Sequence, residues 1–283
     1  MSEICVLTPA SDYFEDANPH CRALEAAMGC VPEYRPWTEP GDLSGFALVM
    51  PLIAWGYPYD PPRWFALLDT LEADGVKIAN PVSILRWNSD KAYLVELAER
   101  HVAVVPTLMT MTLDNAALVE ASAHFGARDL IIKPPISGGA FGTYRISAGD
   151  AIPPDVAGTR MMIQPFMPAI SSDGEYSLFY FDGRFSHAIL KRPAAGDFRV
   201  QDYLGGTETA VIPPDSAYEL AGAALAAAPA SCLYARVDML RDENGVMRLM
   251  ELELIEPSLF FRFAPDGGAA FAAAVHKRRH PVR

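Results

Sequence analysis

The chain has 283 residues, 51% of them apolar, with 23 Lys and Arg against 35 Asp and Glu, a formal net charge of −12. That length holds one large domain or two to three small ones and allows a sizeable core. The acidic balance excludes a general nucleic-acid or anionic-membrane surface, but a local cationic pocket for a nucleotide stays open.

Residues 3–8 read as a buried strand, followed by a polar loop and a helix near 18–29. The N-terminus lacks the basic start and long apolar stretch of a signal peptide, and no apolar run reaches membrane-spanning length. Cys5, Cys21, Cys30 and Cys232 show no metal or redox spacing and fit a reduced cytoplasmic protein. Residues 46–52 read as a second strand, and a helix near 61–74 leads to Val76-Lys-Ile-Ala79. Strands alternating with helices suggest an open, mostly parallel sheet. No Gly-x-Gly-x-x-Gly follows the first strand, which argues against a dinucleotide site there. Trp55, Tyr57 and Tyr59 follow the second strand, where loops of such sheets commonly meet ligands; plain loop packing is the alternative.

Pro81 to Asp90 reads as a boundary, with Ser89 or Asp90 capping a helix from Lys91 to about Arg100. A strand at 130–133 enters the Gly-rich segment Pro134 to Thr143. Another strand covers 161–164, and 175–181 with 184–191 form a hairpin across Asp182-Gly183. Residues 192–208 are irregular and Gly-rich. The Ala-rich stretch 217–228 reads as a helix stopped by Pro229, and His276 to Arg283 reads as a solvated basic tail. This second part is α+β in pattern.

Ala235 to Glu253 reads as a further hairpin, because Asn244-Gly245 is a strong turn signal flanked by apolar alternation. A two-residue turn there sets Asp238 opposite Glu251 and Arg236 opposite Glu253. All four then share one face, with Leu252 and Leu254 on the other. Opposed carboxylates roughly 5 Å apart repel unless a cation is bound. Three convergent acids suit a hard divalent cation, above all Mg²⁺ with a nucleotide phosphate. A four-residue turn from Asp242 to Gly245 would set Arg236 opposite Glu251, and a three-residue turn would send the acids to different faces. A solvated face with an Arg236–Glu253 ion pair is the plain alternative.

Ser137 to Thr143 contains Gly138, Gly139 and Gly142 and can present backbone N–H groups to phosphate, with Lys133 entering from a strand end. It is not a Walker A loop, and a mere turn would look the same. Lys91, Lys133, Lys191, Arg192 and Arg199 are cations near apolar or Gly-rich elements; converging on one cleft they would neutralise a triphosphate alongside Mg²⁺. Singly, each reads as well as a surface charge. No Ser-His-Asp arrangement or metal-spaced His pair is present, and His187 reads as a core or edge histidine.

The ordered set Asn88-Ser-Asp-Lys91, Ile131-Ile-Lys-Pro134, Gln164 to Ile170, Asp182-Gly183, Gly196-Asp-Phe-Arg199 with Gly205-Gly206, and Glu251-Leu-Glu253 with Glu256-Pro257 covers about residues 80–263. It resembles the ATP-grasp superfamily, in the branch of glutathione synthetase and the glutamate ligases that modify ribosomal protein. Phe181 to His187 and Glu251 to Leu259 are similar in phrasing to bacterial O-ureido-serine cyclo-ligase-like proteins. The resemblance implies an α/β N-terminal domain (1–87) followed by an α+β ATP-grasp domain of two subdomains (88–165 and 166–283). By matched position, Lys91 and Lys133 would contact the phosphate and adenine region, and Gln164, Pro165, Phe166 and Met167 would form the hinge that reads adenine. Glu175 would sit near the ribose, and the loop of Gly138 and Gly139 would close over the phosphates. Arg199, with Arg192 beside it, would steady the γ-phosphate. Asp238, Glu251 and Glu253 would hold one or two Mg²⁺, with Mn²⁺ as a substitute. Two positions depart from the branch: Glu253 stands where Asn is common, and Gln201 where Asn usually follows the arginine.

The implied activity is an ADP-forming carbon–nitrogen ligase that activates a carboxylate as an acylphosphate for attack by an amine, between molecules or within one. The alternatives are an ATP-grasp phosphotransferase and a non-catalytic nucleotide-binding module. The partner expected is a small amino-acid-like substrate, with no nucleic acid or membrane, and a homodimer is common in the superfamily. Trp55 to Tyr59, Tyr203 and Arg262 are the candidate substrate contacts.

Overall fold

The computed structural model describes residues 3–201 and 204–279 and contains three sheets. The first joins β1 (Ile4–Thr8), β2 (Glu33–Pro36) and β3 (Leu48–Met50) in the order β2-β1-β3, all parallel, with α1 (Asn18–Met28) and α2 (Pro61–Ala73) between and after them. α3 (Val82–Ser89) and α4 (Tyr93–Glu99) lead to an antiparallel sheet of β4 (Leu108–Thr110), β5 (Asp129–Lys133), β6 (Tyr144–Ser147) and β7 (Met161–Pro165), ordered β4-β7-β5-β6. α5 (Asn115–Phe125) packs on β5 and β7. After α6 (Ala169–Ser172), the third sheet is antiparallel, ordered β10-β9-β8-β11-β12. Its strands are β8 (Glu175–Phe181), β9 (Arg184–Arg192), β10 (Thr207–Ala210), β11 (Tyr234–Arg241) and β12 (Met247–Glu253), joined by α7 (Asp215–Ala227) and followed by α8 (Ala269–Arg279). The expected α/β half followed by an α+β half is therefore observed.

Local chemistry explains several boundaries. Asp60 caps α2 by accepting from the Arg63 amide, with Pro61 and Pro62 in the first turn. Asp114 caps α5 through the Ala117 amide, and Gly126 closes it at φ 64°. Asp182 and Gly183 turn β8 into β9 with φ of 48° and 75°, the signs a tight hairpin needs.

Some elements differ from the sequence reading. Val82–Ser89, within the stretch read as a boundary, form the helix α3. Ser89 ends it, donating to the Leu85 carbonyl and accepting from Trp64 Nε1, and Asp90 accepts from the Ala92 amide in the turn before α4, which begins at Tyr93 with Ala92 as its N-cap, so neither residue caps a helix from Lys91. β2, β4, β6, β10 and α5 are short or weakly periodic and were not expected. Residues 276–279 are the last turn of α8 rather than a tail, with Lys277 paired to Asp182 and Arg279 to Glu3; 280–283 lie outside the described residues.

Alternation in the third sheet sends residues to two cores. Leu178, Val237 and Met239 face α4 and α7, meeting Leu94, Leu220 and Ala221. Phe179, Phe181 and Tyr234 face the opposite way, meeting Ile4, Val6 and Met50 of the first sheet and Phe271 of α8. Arg236 and Asp238 share the parity of Tyr234, so β11 presents them toward the N-terminal layer.

The register around them has an unexpected origin. The Asp242 amide donates to the Val246 carbonyl and Arg241 pairs with Met247, so the loop is three residues long, Glu243 to Gly245. Asp242 Oδ1 accepts from the Asn244 and Val246 amides, and Gly245 sits at φ 77°. A three-residue loop shifts the register by one and by itself would separate the acids. A bulge at Met250 restores it, so Asp238 pairs with Glu251 and Arg236 with Glu253.

Candidate active site

The acids stand on β11 and β12, and β12 is the edge strand of its sheet. An edge offers unpaired backbone groups; here side chains of α3 and α4 satisfy them. Asn88 Nδ2 donates to the Leu252 carbonyl at 2.8 Å, and Asn88 Oδ1 accepts from the Leu254 amide at 2.9 Å. The Tyr93 hydroxyl accepts from the Leu252 amide at 2.8 Å and donates to its carbonyl at 3.1 Å. Asn80 Nδ2 donates to the Leu254 and Tyr234 carbonyls, and its Oδ1 accepts from the Leu233 amide. Three buried side chains thus strap the acid-bearing strand to the chain before it.

Four cations converge on the acids. Arg236 Nε donates to both oxygens of Asp238 at 3.0 Å, and its Nη2 reaches Asp238 at 2.9 Å and also Glu253. Lys191 Nζ lies 3.1 Å from Glu175 and 3.7 Å from Asp238. Lys91 Nζ lies 3.0 Å from Glu251 and donates to the Ser137 carbonyl, tying the Gly-rich loop to the hairpin. Lys133, buried at the end of β5, completes the set without contact, within the field of Glu251 and Glu175. Ser177 donates to Asp238 at 2.6 Å.

These cations meet five carboxylates, Glu175, Asp238, Glu251, Glu253 and Glu256, so negative charge is in excess. Asp238 stays low: burial works to raise its pKa, but Arg236 and Lys191 outweigh it. Glu253 is pushed up to about 7, chiefly by burial, with Asp238 and Glu251 adding to it against Arg236. Glu256 is pushed up to about 8 by burial and by Glu253. Burial and the charge of Lys91 bring Lys133 down to about 8, against the pull of Glu251. Hard oxygen donors with uncompensated charge fit a divalent cation. Among the described residues, no three His, Cys, Asp or Glu are already arranged as a metal cage, because Arg236, Lys91 and Lys191 engage the oxygens.

A cavity of about 1050 Å³ lies against this face, lined by Glu251, Glu253, Arg236 and Lys191, by Gly138 and Gly139 of the loop, and by N-terminal aromatics including Trp55, Tyr57 and Tyr59. Tyr59 meets Phe141 of the loop edge-on at 5.1 Å between centroids. Arg262 also lines the cavity, paired with Glu208 at 3.0 Å and set over the Phe260 and Phe263 rings. Tyr203 lies outside the described residues.

The sequence-derived residues divide accordingly. Lys91, Lys133, Asp238, Glu251 and Glu253 come together, with Gly138 and Gly139 beside them. Gln164 is buried and donates to Thr107, while Phe166 and Met167 pack beside Val200 and Leu240; with Pro165 these form the junction of the second and third sheets and do not line the cavity. Glu175 is buried against Lys191. Arg192 is not brought in: strand alternation exposes it, and Lys191 points at the acids instead. Arg199 turns to Asp197 through Nε and Nη2 at 3.1 and 2.8 Å, next to the cavity-lining Val200 and Gln201. Sequence reasoning left out the roles of Asn80 and Tyr93, the cavity position of Glu256 and the contact of His20 with Ser258 at 3.2 Å. Asn88 and Glu256 carried a signal, each sitting in a recognised motif; the others carried none.

Comparison with known proteins agrees with this geometry. Residues 4–80 match the family model of the D-cycloserine synthetase DcsG N-terminal domain. The chain is 28% identical to the cycloserine biosynthesis protein DcsG of Streptomyces lavendulae over 91% of its own length and 93% of that protein. The crystal structure of D-cycloserine synthetase DcsG superposes with a TM-score of 0.84 at 26% identity, covering 98% of this chain and 99% of that one. The ATP-grasp ligase PsnB, in complex with a precursor variant, Mg and ADP, superposes with a TM-score of 0.66 at 17% identity, covering 98% and 99%. No helix among the described residues is long and apolar enough to cross a membrane.

Proposed function

We propose that the chain is an ATP-grasp enzyme, an ADP-forming carbon–nitrogen ligase acting on a small amino-acid-like substrate. The observation that carries this reading is the meeting of Asp238, Glu251 and Glu253 with Lys91, Lys133, Lys191 and Arg236 under the Gly-rich loop. A scaffold protein gains nothing from burying mutually repulsive carboxylates. The segments 1–87, 88–165 and 166–283 serve as N-terminal domain and two gripping subdomains, each holding one of the three sheets.

ATP is the co-substrate, and Asp238, Glu251 and Glu253 would hold Mg²⁺, as one or two ions, with Arg236 and Lys91 yielding oxygens to them. Mg²⁺ supplies charge neutralisation at the phosphates. The substrate carboxylate attacks the γ-phosphorus, the bond to the bridging oxygen breaks, and ADP leaves. An amine nitrogen then attacks the carbonyl carbon, the carbon–oxygen bond to phosphate breaks, and the amine proton passes to a base or water. Lys191, Lys133 and Arg236 offset the charge on the transferring group, and catalysis rests on positioning and electrostatics. The loop of Gly138 and Gly139, held by Lys91, excludes water from the activated carboxylate. Gln164 to Met167, at the junction of the second and third sheets beside the cavity lining, would read adenine through their backbone.

The test is an ADP-release screen over amino acids and ureido-amino acids with mass analysis of products. Stoichiometric ADP and an amide or ring product are expected, and Glu251→Gln abolishes turnover while leaving the fold intact. A stable phosphorylated product would instead assign a kinase.

A further inference from the structure

Of the five carboxylates in the cluster of Glu175, Asp238, Glu251, Glu253 and Glu256, four have a cation within the chain. Glu175 has Lys191, Asp238 has Arg236, Glu251 has Lys91 and Glu253 has Arg236. Glu256 has none in contact: among the described residues no hydrogen bond or ion pair reaches its side chain, and Lys91 and Arg236 act on it only from a distance. It lies beyond the end of β12, after buried Leu254 and Ile255, and lines the cavity. A Cβ built on Gly138 would touch its Oε1 at 4.0 Å, so it stands where the Gly-rich loop meets the cavity wall. The ring of Tyr57 is within its field. A carboxylate withdrawn from bulk water is paired or binds a cation; when the chain supplies no partner, the ligand must. A second cavity-lining side chain is unmatched in the same sense. Gln201 Oε1 is buried and has no donor among the described residues. Both unmatched groups are acceptors, so the complementary ligand brings N–H donors.

We propose that Glu256 is the docking acid for a substrate ammonium group, with Gln201 accepting a second N–H, so that the enzyme selects an amino acid over its hydroxy-acid counterpart. The proposal rests on the ligase reading for the identity of the cavity as the acceptor side of the site. The metal-facing acids are the hairpin residues, each engaged by a cation that a metal can displace. Glu256 is set apart from them by the end of the strand, in a cavity whose N-terminal lining includes Trp55 and Tyr57.

The test uses the full chain with Mg²⁺ and a non-hydrolysable ATP analogue. The D and L forms of alanine and serine, and the matching lactates and glycerates, are titrated in a calorimeter into wild type, Glu256→Gln and Gln201→Leu. The expected result is that at least one amino acid binds wild type about tenfold or more tightly than its hydroxy acid. Glu256→Gln should lose that margin, while analogue affinity and hydroxy-acid affinity stay within about twofold, and Gln201→Leu should lose a smaller part. Ligand-free melting of Glu256→Gln should be no lower than wild type, since the side chain has no hydrogen bond or ion pair among the described residues to lose. Equal binding of amino and hydroxy acids by wild type, or unchanged amino-acid affinity in Glu256→Gln, would overturn the proposal. A loss of analogue binding in that variant would overturn it too, by placing Glu256 in the phosphate site. Parallel ADP release with ATP separates the two readings: selective amino-acid binding without ADP release defeats the ligase and spares the docking acid.

Discussion

Asn88→Ala isolates the strap that holds the acid strand. Asn88 is 7% exposed and makes two hydrogen bonds to β12. The two are not equivalent. The Leu252 carbonyl keeps the Tyr93 hydroxyl as a donor, so losing Asn88 Nδ2 there removes one net bond, about 0.5–1.5 kcal/mol. The Leu254 amide donates only to Asn88 Oδ1, so it becomes a buried unmade donor at about 1–3 kcal/mol. The expected loss is therefore about 1.5–4.5 kcal/mol in unfolding free energy, read by urea titration with linear extrapolation. Glu251 and Glu253 flank Leu252, so the same change should lower amine-dependent ADP release at saturating ATP beyond what the folded fraction explains. Asn88→Asp should be worse than Ala, because it sets a carboxylate oxygen against the Leu252 carbonyl. A stability change below about 0.5 kcal/mol for Asn88→Ala, no more than an ordinary surface substitution gives, would refute the view that side chains from α3 and α4 secure this edge.

Two further outcomes follow from the geometry. Lys191→Met should cut ADP release by about 10²-fold or more, as for loss of one electrostatic contact to a transferring group, whereas exposed Arg192→Met should change it by less than about threefold. The reverse order in the same assay would restore Arg192 to the site. His187 donates from Nε2 to the Leu259 carbonyl at 3.1 Å, accepts from Ser186 at Nδ1 and stacks on Phe179 at 4.3 Å, all in the neutral form. Burial holds its pKa below the unfolded value of 6.5, with Asp266 pulling weakly the other way. A base with a depressed folded pKa is protonated first in the unfolded chain, so stability falls as pH drops below about 6.5, by at most about 1.4 kcal/mol per pH unit. The difference in unfolding free energy between wild type and His187→Gln, followed by denaturant titration from pH 7.5 to 5.5, should shrink toward acid; a flat difference rejects the assignment.

The legible parts of this chain are those where one residue type has one local meaning. The runs at 4–8 and 48–50 are apolar on both sides because parallel strands are buried on both faces. Asp182-Gly183 reads directly as a tight turn. The illegible parts depend on partners far along the chain. β2 and β10 have half-exposed or exposed residues and no alternation to reveal them, existing only because β1 and β9 offer edges. The choice between Lys191 and Arg192 depends on the face parity of β9. A bulge at Ser186, left unpaired between Phe185 and His187, lies in β9 itself, so counting from the turn cannot settle that parity.

The acid hairpin shows how a correct pairing can follow from an incomplete path. Counting from a two-residue turn pairs Asp238 with Glu251 only because two irregularities cancel. Asp242 lengthens the loop by binding the Asn244 and Val246 amides, and Met250 is the surplus residue that restores the count. The second irregularity sits beside Glu251. A bulge raises local twist and re-aims neighbouring side chains, so β12 turns Glu251 toward Lys91 and the Gly-rich loop while Glu253 remains opposite Arg236. Were the ladder regular with the same loop, Met250 would take the place opposite Asp238 and the carboxylates would point into the core of Leu249 and Leu252. That core could not hold them without cations. Burial of the apolar face therefore selects the bulge, and the acids converge as a consequence of where Leu249, Leu252 and Leu254 must go.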